Sequence, residues 1–179
     1  AAFPGNRLVI PAVSLKQRSN DTDYVFRAHS AFSHLTGWGA DSEPESVLVF
    51  DPTADGHDIT LYFRERADRT TSEFYSDASI GEFWIGPRPS LAQVATSLGI
   101  TTKHLDEFAA AADDLVVDES DELTQFVSEL RLVKDDYELA QLQLAVDVTA
   151  AAFDDVLREL TTATEHRRGE RVIEGVFAR

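Results

Sequence analysis

Apolar residues fall in short blocks along the first two thirds of the chain and at helical intervals along the last third. RLVIPAV (7–13), set off by Gly5-Asn6, is a compact apolar run that reads as a strand. SVLVF (46–50), placed before Asp51-Pro52, reads as a second, buried strand. DITLYFR (58–64) alternates Ile59, Leu61 and Phe63 with Thr60, Tyr62 and Arg64, the period-two pattern of a strand with unlike faces. A turn-rich link containing Asp55-Gly56 joins these two strands, which predicts a hairpin. Ser90 is placed to cap LAQVATSL, with Gly99 at the stop position. Thr101 or Thr102 is placed to cap a second helix, KHLDEFAAAA, ending at Asp113-Asp114, and LVV (115–117) reads as a last short strand. Early strands mixed with later helices predict an α/β domain with a mixed sheet.

From Asp118 onward the pattern changes and no strand signal remains. Asp135 and Glu138 stand at capping-box spacing, and Leu139, Leu142, Val146, Phe153, Val156 and Leu160 recur at helical intervals. They predict a helix of roughly 25 residues, about 37 Å long at ~1.5 Å per residue. Ala150, Ala151 and Ala152 allow a neighbour to approach it closely. TTATEHRRGE breaks this helix and RVIEGVFAR begins another. The change places a domain boundary near 118–130, written as one domain over 1–125 and a second over 126–179.

The composition narrows the function. A hydrophobic fraction of 43% supports a packed core in a chain of 179 residues. The net charge of −16 argues against nucleic-acid binding, because phosphate neutralisation needs a basic face. Arginine outnumbers lysine thirteen to three, a bias read as the mark of a GC-rich coding sequence. No apolar run is long enough to span a bilayer, and no basic leader precedes one, so a soluble protein without membrane partners is expected. The lack of cysteine removes disulfides, thiol catalysis and thiolate-bound zinc, and fits a cytoplasmic setting. The chain opens at Ala1 and stops at Arg179 within a nascent helix, which leads us to expect a piece of a longer protein.

Self-standing chemistry is sparse. The five histidines, at 29, 34, 57, 104 and 166, form no HExxH pair, and none is placed as a metal ligand. Asn20, Asp21 and Asp23 resemble the start of a calcium loop but lack its glycine and terminal glutamate. GxSxG, GxGxxG and phosphate-binding loop patterns do not occur. No catalytic residue and no metal ligand is assigned.

The motifs acquire meaning when taken together. RSNDTDYVFRAHSAFSHLTGW (18–38), FRERADR (63–69) and EFWIGPRPS (82–90) resemble the N-terminal domain of the aminopeptidase P family, the proline-specific aminopeptidases. ELRLVKDDYELAQLQLAVDVTAAAF (129–153) resembles that family's entry into its catalytic domain, and HRRGERVIEGVFAR resembles the opening of the following helix. The resemblance covers nearly the whole chain in the family's order. It implies a ribonuclease-H-like mixed-sheet domain, followed by the first helices of a truncated "pita-bread" metallopeptidase domain. It also implies a longer parent enzyme that releases the N-terminal residue from peptides with proline second. The two divalent metals of that enzyme, manganese by family habit, would be held by motifs beyond Arg179, so this chain alone should be inert. Homo-oligomeric contacts are implied as well.

By the same resemblance, Asp21 and Arg131 would join a charged network beside the catalytic cleft, where an arginine fork can hold a carboxylate. Asp21 reads equally well as a turn or capping residue, and Arg131 as a cation at a helix end. Trp84 falls on a tryptophan that reaches towards a neighbouring subunit's active site in oligomeric members, and it reads equally well as a core residue. Tyr24 and Phe26 are expected in the core, with Arg27 near an acid. Val25, His29, Ala31 and His34 depart from the family pattern, as does the longer segment TTSEFYSDASIGEF (70–83). A prolidase-type dipeptidase and a non-catalytic protein-binding homologue are the alternative readings.

Overall fold

A computed structural model describes residues 2–179 and divides the chain into two compact units, one ending at Arg131 and one running from Leu132 to Arg179. The first unit begins with β1 (Leu8–Pro11), then a small antiparallel ribbon of β2 (Gln17–Ser19) and β3 (Thr22–Asp23), then α1 (Ser30–Thr36). The hairpin of β4 (Val47–Pro52) and β5 (His57–Phe63) follows. Two short helices, α2 (Ser72–Ser76) and α3 (Glu82–Ile85), lead to α4 (Leu91–Leu98). β6 (Thr101–His104), β7 (Leu115–Val116) and α5 (Asp121–Leu130) complete the unit.

The five longer-range strands form one mixed sheet in the order β6-β5-β4-β1-β7. β1 runs antiparallel to β4 and β4 to β5, whereas β6 and β7 join parallel at the two edges. Period-two alternation sorts the side chains onto two faces. Leu8, Ile10, Leu48, Leu61 and Phe63 point to one face, where Phe32 of α1, Val94 of α4, and Leu123 and Val127 of α5 cover them. Val9, Val47, Val49 and Tyr62 take the other face, with Leu105, Phe108 and Val116 packed against them.

Local chemistry accounts for most element ends. Ser90 accepts from the Gln93 N–H and Gln93 reaches back to the Ser90 N–H, a full capping box, and α4 ends at Gly99 in the left-handed conformation. His29 caps α1 through its ring, with Nδ1 accepting from the Ala31 N–H at 3.2 Å. Gly37, at φ +67°, stops that helix, and the Thr36 hydroxyl accepts from the Trp38 N–H. Trp38 is thereby turned into the core, edge-on to Phe63.

Two expectations need correction. The segment 101–104 is not the start of a helix: Thr101 to His104 pair with Thr60 to Phe63 of β5, and only a single 3-10 turn, Leu105–Glu107, follows. The β-branched threonines favour extension, and a parallel edge-strand partner some forty residues earlier cannot be seen in the local pattern. Tyr24 is not a core residue. It lies 59% exposed in an irregular segment after β3, while Phe26 packs partly against the core.

The second unit is a helix pair. α6 (Asp136–Glu165) is 30 residues long, five beyond the expected stretch, because Thr161 to Glu165 continue the helix before it stops at His166. Its N-terminus carries the capping box between Asp135 and Glu138. α7 (Gly169–Phe177) folds back on it, with Phe177 edge-on to Phe153 and with Val156 and Ala163 buried. Leu139, Leu142, Val146 and Leu160 remain exposed.

Candidate functional site

The expected site residues occupy three separate settings in the first unit. Asp21 is exposed at the tip of the β2–β3 ribbon, where its carboxylate accepts a 3.4 Å hydrogen bond from the Thr22 hydroxyl. Arg131 is the C-cap of α5, and its guanidinium donates to the Val127 carbonyl at 2.9 Å and reaches the Ser128 hydroxyl at 3.5 Å. A cation satisfying the last carbonyls of a helix is a stabilising arrangement. No hydrogen bond or ion pair joins Asp21 to Arg131 among the described residues.

Trp84 lies on α3 and is 59% exposed. Its indole N–H donates to the Tyr75 carbonyl at 2.8 Å, which fixes the ring while leaving its face open. Tyr75, Phe83 and Ile85 are exposed beside it, and edge or tilted ring contacts run from Phe74 through Tyr75 and Phe83 to Trp84. The α2–α3 corner that presents this ladder depends on Gly81. A Cβ there would stand 2.5 Å from the Asp77 carbonyl oxygen and 2.8 Å from that of Glu73. So many exposed aromatic rings on one corner are the composition of a contact surface.

Behind this corner lies a charge cluster that sequence reasoning missed. The Arg88 side chain is only 3% exposed and donates to Glu73 Oε1 at 2.6 Å. Its Nε is 3.8 Å from Glu82 Oε1, close enough for an ion pair and too far for a hydrogen bond. Glu82 also accepts from the Ala67 N–H at 2.8 Å, so the same carboxylate holds the FRERADR loop. Half-buried Glu43 faces the cluster, and burial raises its pKa, with Arg88 pulling it down and Glu82 pushing it up. Pro87 and Pro89 bracket Arg88 and were the available signal, since both restrict the backbone beside a buried cation. Its acid partners lie six and fifteen residues away, where no periodicity points to them.

Backbone strain gathers beside the same loops. Val13 and Glu45 have φ of +74° and +62°, and the Glu45 N–H donates to the Val13 carbonyl. A β-branched residue in the left-handed region is rare, and such strain persists only where the surroundings over-determine it. Among the described residues no group of three or more His, Cys, Asp or Glu side chains can hold a metal ion. The donor set therefore does not fit the two-metal centre that the resemblance implies for a parent enzyme. No helix of the described residues is long and apolar enough to cross a membrane.

Comparison with known proteins agrees with this architecture. The chain is 41% identical over 199 aligned residues to Xaa-Pro aminopeptidase 1 of Streptomyces coelicolor, covering 99% of this chain and 39% of that relative. It is 39% identical over 203 residues to Xaa-Pro aminopeptidase 2 of the same organism, covering all of this chain and 42% of that relative. The chain thus spans well under half the length of these curated relatives. Among solved structures, aminopeptidase P from E. coli in its low-pH form superposes with a TM-score of 0.66 at 24% identity, over 97% of this chain and 44% of that one. Proline aminopeptidase P II from Yersinia pestis gives a TM-score of 0.66 at 23% identity, over 98% and 46%. These likenesses show a shared fold. The family model described as "Aminopeptidase P, N-terminal domain" matches residues 1–126, and the chain belongs to that family.

Proposed function

We propose that this chain is the N-terminal part of a proline-specific metalloaminopeptidase that releases the first residue from Xaa-Pro peptides. The observation that carries the reading is the 41% identity to a relative named Xaa-Pro aminopeptidase 1, in an alignment that covers 99% of the chain. In this reading the mixed-sheet unit forms a wall of the substrate cleft, α6 and α7 belong to the catalytic domain, and the boundary between the two domains is placed near 125/126. The metals, manganese by family habit, belong to the portion of the relatives that this chain does not span. The chain alone is then inactive, and the setting is cytoplasmic.

The exposed residues take supporting roles. Trp84, pinned by one hydrogen bond and otherwise open, serves as the contact to a second copy of the chain and approaches that copy's cleft. Asp21 and Arg131 act as positioning residues for the cleft wall. An aromatic ring set on a rigid corner offers contact area at small entropy cost, which suits recognition of an apolar imide ring.

A chimera tests the proposal, with this chain replacing the matched segment of Streptomyces coelicolor Xaa-Pro aminopeptidase 1. Release of the first residue from an Xaa-Pro tripeptide, with the chain alone silent in manganese, is the expected result. Trp84→Ala should lower kcat/KM by about tenfold and shift the sedimentation profile towards smaller species. A folded chimera that cleaves only Xaa-Pro dipeptides would point to a prolidase. One that cleaves neither, although the parent relative does, would point to a binding module.

A further inference from the structure

The segment from Tyr24 to Ala28 has the side-chain pattern of a strand and no strand beside it. Tyr24, Val25 and Phe26 are aromatic or β-branched, the residue types that favour extension. Phe26 and Ala28 pack against the core, whereas Val25, 96% exposed, and Arg27 face solvent. The ends of the segment are held: the Tyr24 N–H donates to the Lys16 carbonyl at 2.9 Å and the His29 N–H to the Ala12 carbonyl at 3.0 Å. Between them, no hydrogen bond among the described residues engages the backbone of Val25, Phe26, Arg27 or Ala28. Backbone groups in a folded chain find partners as a rule, so an extended segment with an open backbone offers an edge to another strand.

The period of two decides which edge is open. Tyr24 turns its backbone groups towards Lys16, so Phe26 and Ala28 turn theirs the same way, and Val25 and Arg27 turn theirs to the opposite flank. A hollow of 370 Å3 lies on the Lys16 side, beside Val13 and Ser14. A second, of 490 Å3, lies on the other flank and is walled by Ser33, Gly39, Ala40 and Ser42. These small residues leave room for the side chains of an added strand. Arg27 is the one charged residue lining this second hollow, and it enters no ion pair or hydrogen bond among the described residues. A lone guanidinium beside an open edge calls for a strand that brings a carboxylate. A second copy presenting the same Val-Phe-Arg-Ala segment brings none, and both guanidinium groups would stay unpaired.

We propose that residues 25–28 form a docking edge for an extended acidic peptide strand of a separate molecule. The strand hydrogen-bonds to the backbone of Val25 and Arg27 and sets a carboxylate against the Arg27 guanidinium. Main-chain pairing supplies the affinity and the Arg27 contact the preference among sequences. The inference stands apart from the peptidase reading, since it involves no cleavage and every group in it lies in the first unit.

The test is a ¹H–¹⁵N NMR titration of the 179-residue chain with the capped peptide acetyl-Thr-Val-Glu-Val-Thr-amide. Two control peptides accompany it, one with lysine in place of glutamate and one N-methylated at alternate amides. The acidic peptide should shift the Val25, Phe26 and Arg27 amides in a saturable way and slow exchange of the Val25 and Arg27 N–H groups about tenfold. Each control should bind at least about fivefold more weakly. Val25→Pro deletes one unpaired N–H at an exposed position, so it should leave the rest of the spectrum native while weakening the acidic peptide about fivefold. Arg27→Glu should reverse the preference between the glutamate and lysine peptides. Absence of a saturable shift at about 10 mM peptide, equal binding of the N-methylated peptide, or unchanged affinity in folded Val25→Pro would each overturn the proposal. Protection of the Val25 and Arg27 amides that grows with protein concentration, without peptide, would assign the edge to a second copy and overturn it as well.

Discussion

Replacing Arg88 with methionine tests the charge cluster behind the aromatic corner most directly. Methionine keeps the volume of the arginine stem and removes only the guanidinium. Glu73 then loses a 2.6 Å ion pair, and Glu82 loses the cation 3.8 Å away. Breaking a fully buried pair costs about 3–5 kcal/mol, because the surviving charge is left without compensation. Here the Glu82 side chain is 10% exposed and that of Glu73 32%, so solvent relieves part of the cost. The expected loss is therefore about 3 kcal/mol, or roughly 10 °C in the unfolding midpoint of a unit of this size. Urea unfolding followed by tryptophan fluorescence reads this unit alone, since Trp38 and Trp84 both lie within it. Glu73→Gln in the same background should recover part of the loss, giving a coupling energy clearly above the ~0.5 kcal/mol at which distant sites merely add. A loss under about 1 kcal/mol, or a coupling near zero, would refute the view that this cation holds the corner together.

Three further substitutions probe the same architecture. Burial raises the Glu43 pKa above 4.5, so the native state binds its proton more tightly than the unfolded chain and stability falls as pH rises through that window. Glu43→Gln should accordingly stabilise the unit at pH 7 and lose its advantage below the ordinary carboxylate pKa, as paired denaturation curves at the two pH values would show; equal effects at both would refute the sign. Gly81→Ala forces a Cβ against three backbone carbonyls and should cost about 1–3 kcal/mol while displacing α3, visible as a changed Trp84 emission. Wild-type stability in that variant would show that the α2–α3 corner yields without strain. Arg7→Lys, argued below, should cost about 1–2 kcal/mol.

Much of the fold could be read locally. The alternation of 58–64 set the hairpin with 46–50, and the Ser90–Gly99 and Asp135–Glu138 signals placed α4 and the start of α6. Each of these rests on residues a few positions apart. β6 did not show itself because its evidence is the parallel pairing with β5, and threonine is acceptable both as a helix cap and in a strand. The same limit governs the site. Trp84 could be located by its motif, but its exposure depends on Gly81 and Tyr75, which close the α2–α3 corner beneath it.

The excess of arginine over lysine, read as coding bias, also has a physical use at Arg7. Arg7 directs Nε to Asp51 Oδ1 at 2.8 Å and Nη1 to Asp114 Oδ2 at 3.0 Å and to the Ala109 carbonyl at 3.0 Å. Its guanidinium also stands over the Phe108 ring. One planar group thus ties β4, the 109–114 loop and the residue entering β1, with Asp114 almost wholly buried at 3% exposure. A lysine offers a single ammonium and cannot span two carboxylates that approach different nitrogens of a fork. In Arg7→Lys the ammonium would satisfy buried Asp114 and release Asp51, which is 44% exposed and rehydrates at small cost. The predicted loss is therefore about 1–2 kcal/mol, well short of the penalty for a stranded buried charge. Arg7→Met, which strands Asp114, should lose roughly twice as much. If lysine proves as stable as arginine in urea unfolding, the geometry of the fork is irrelevant; if lysine and methionine prove equally costly, the retained ammonium does nothing for Asp114 and the argument from charge fails.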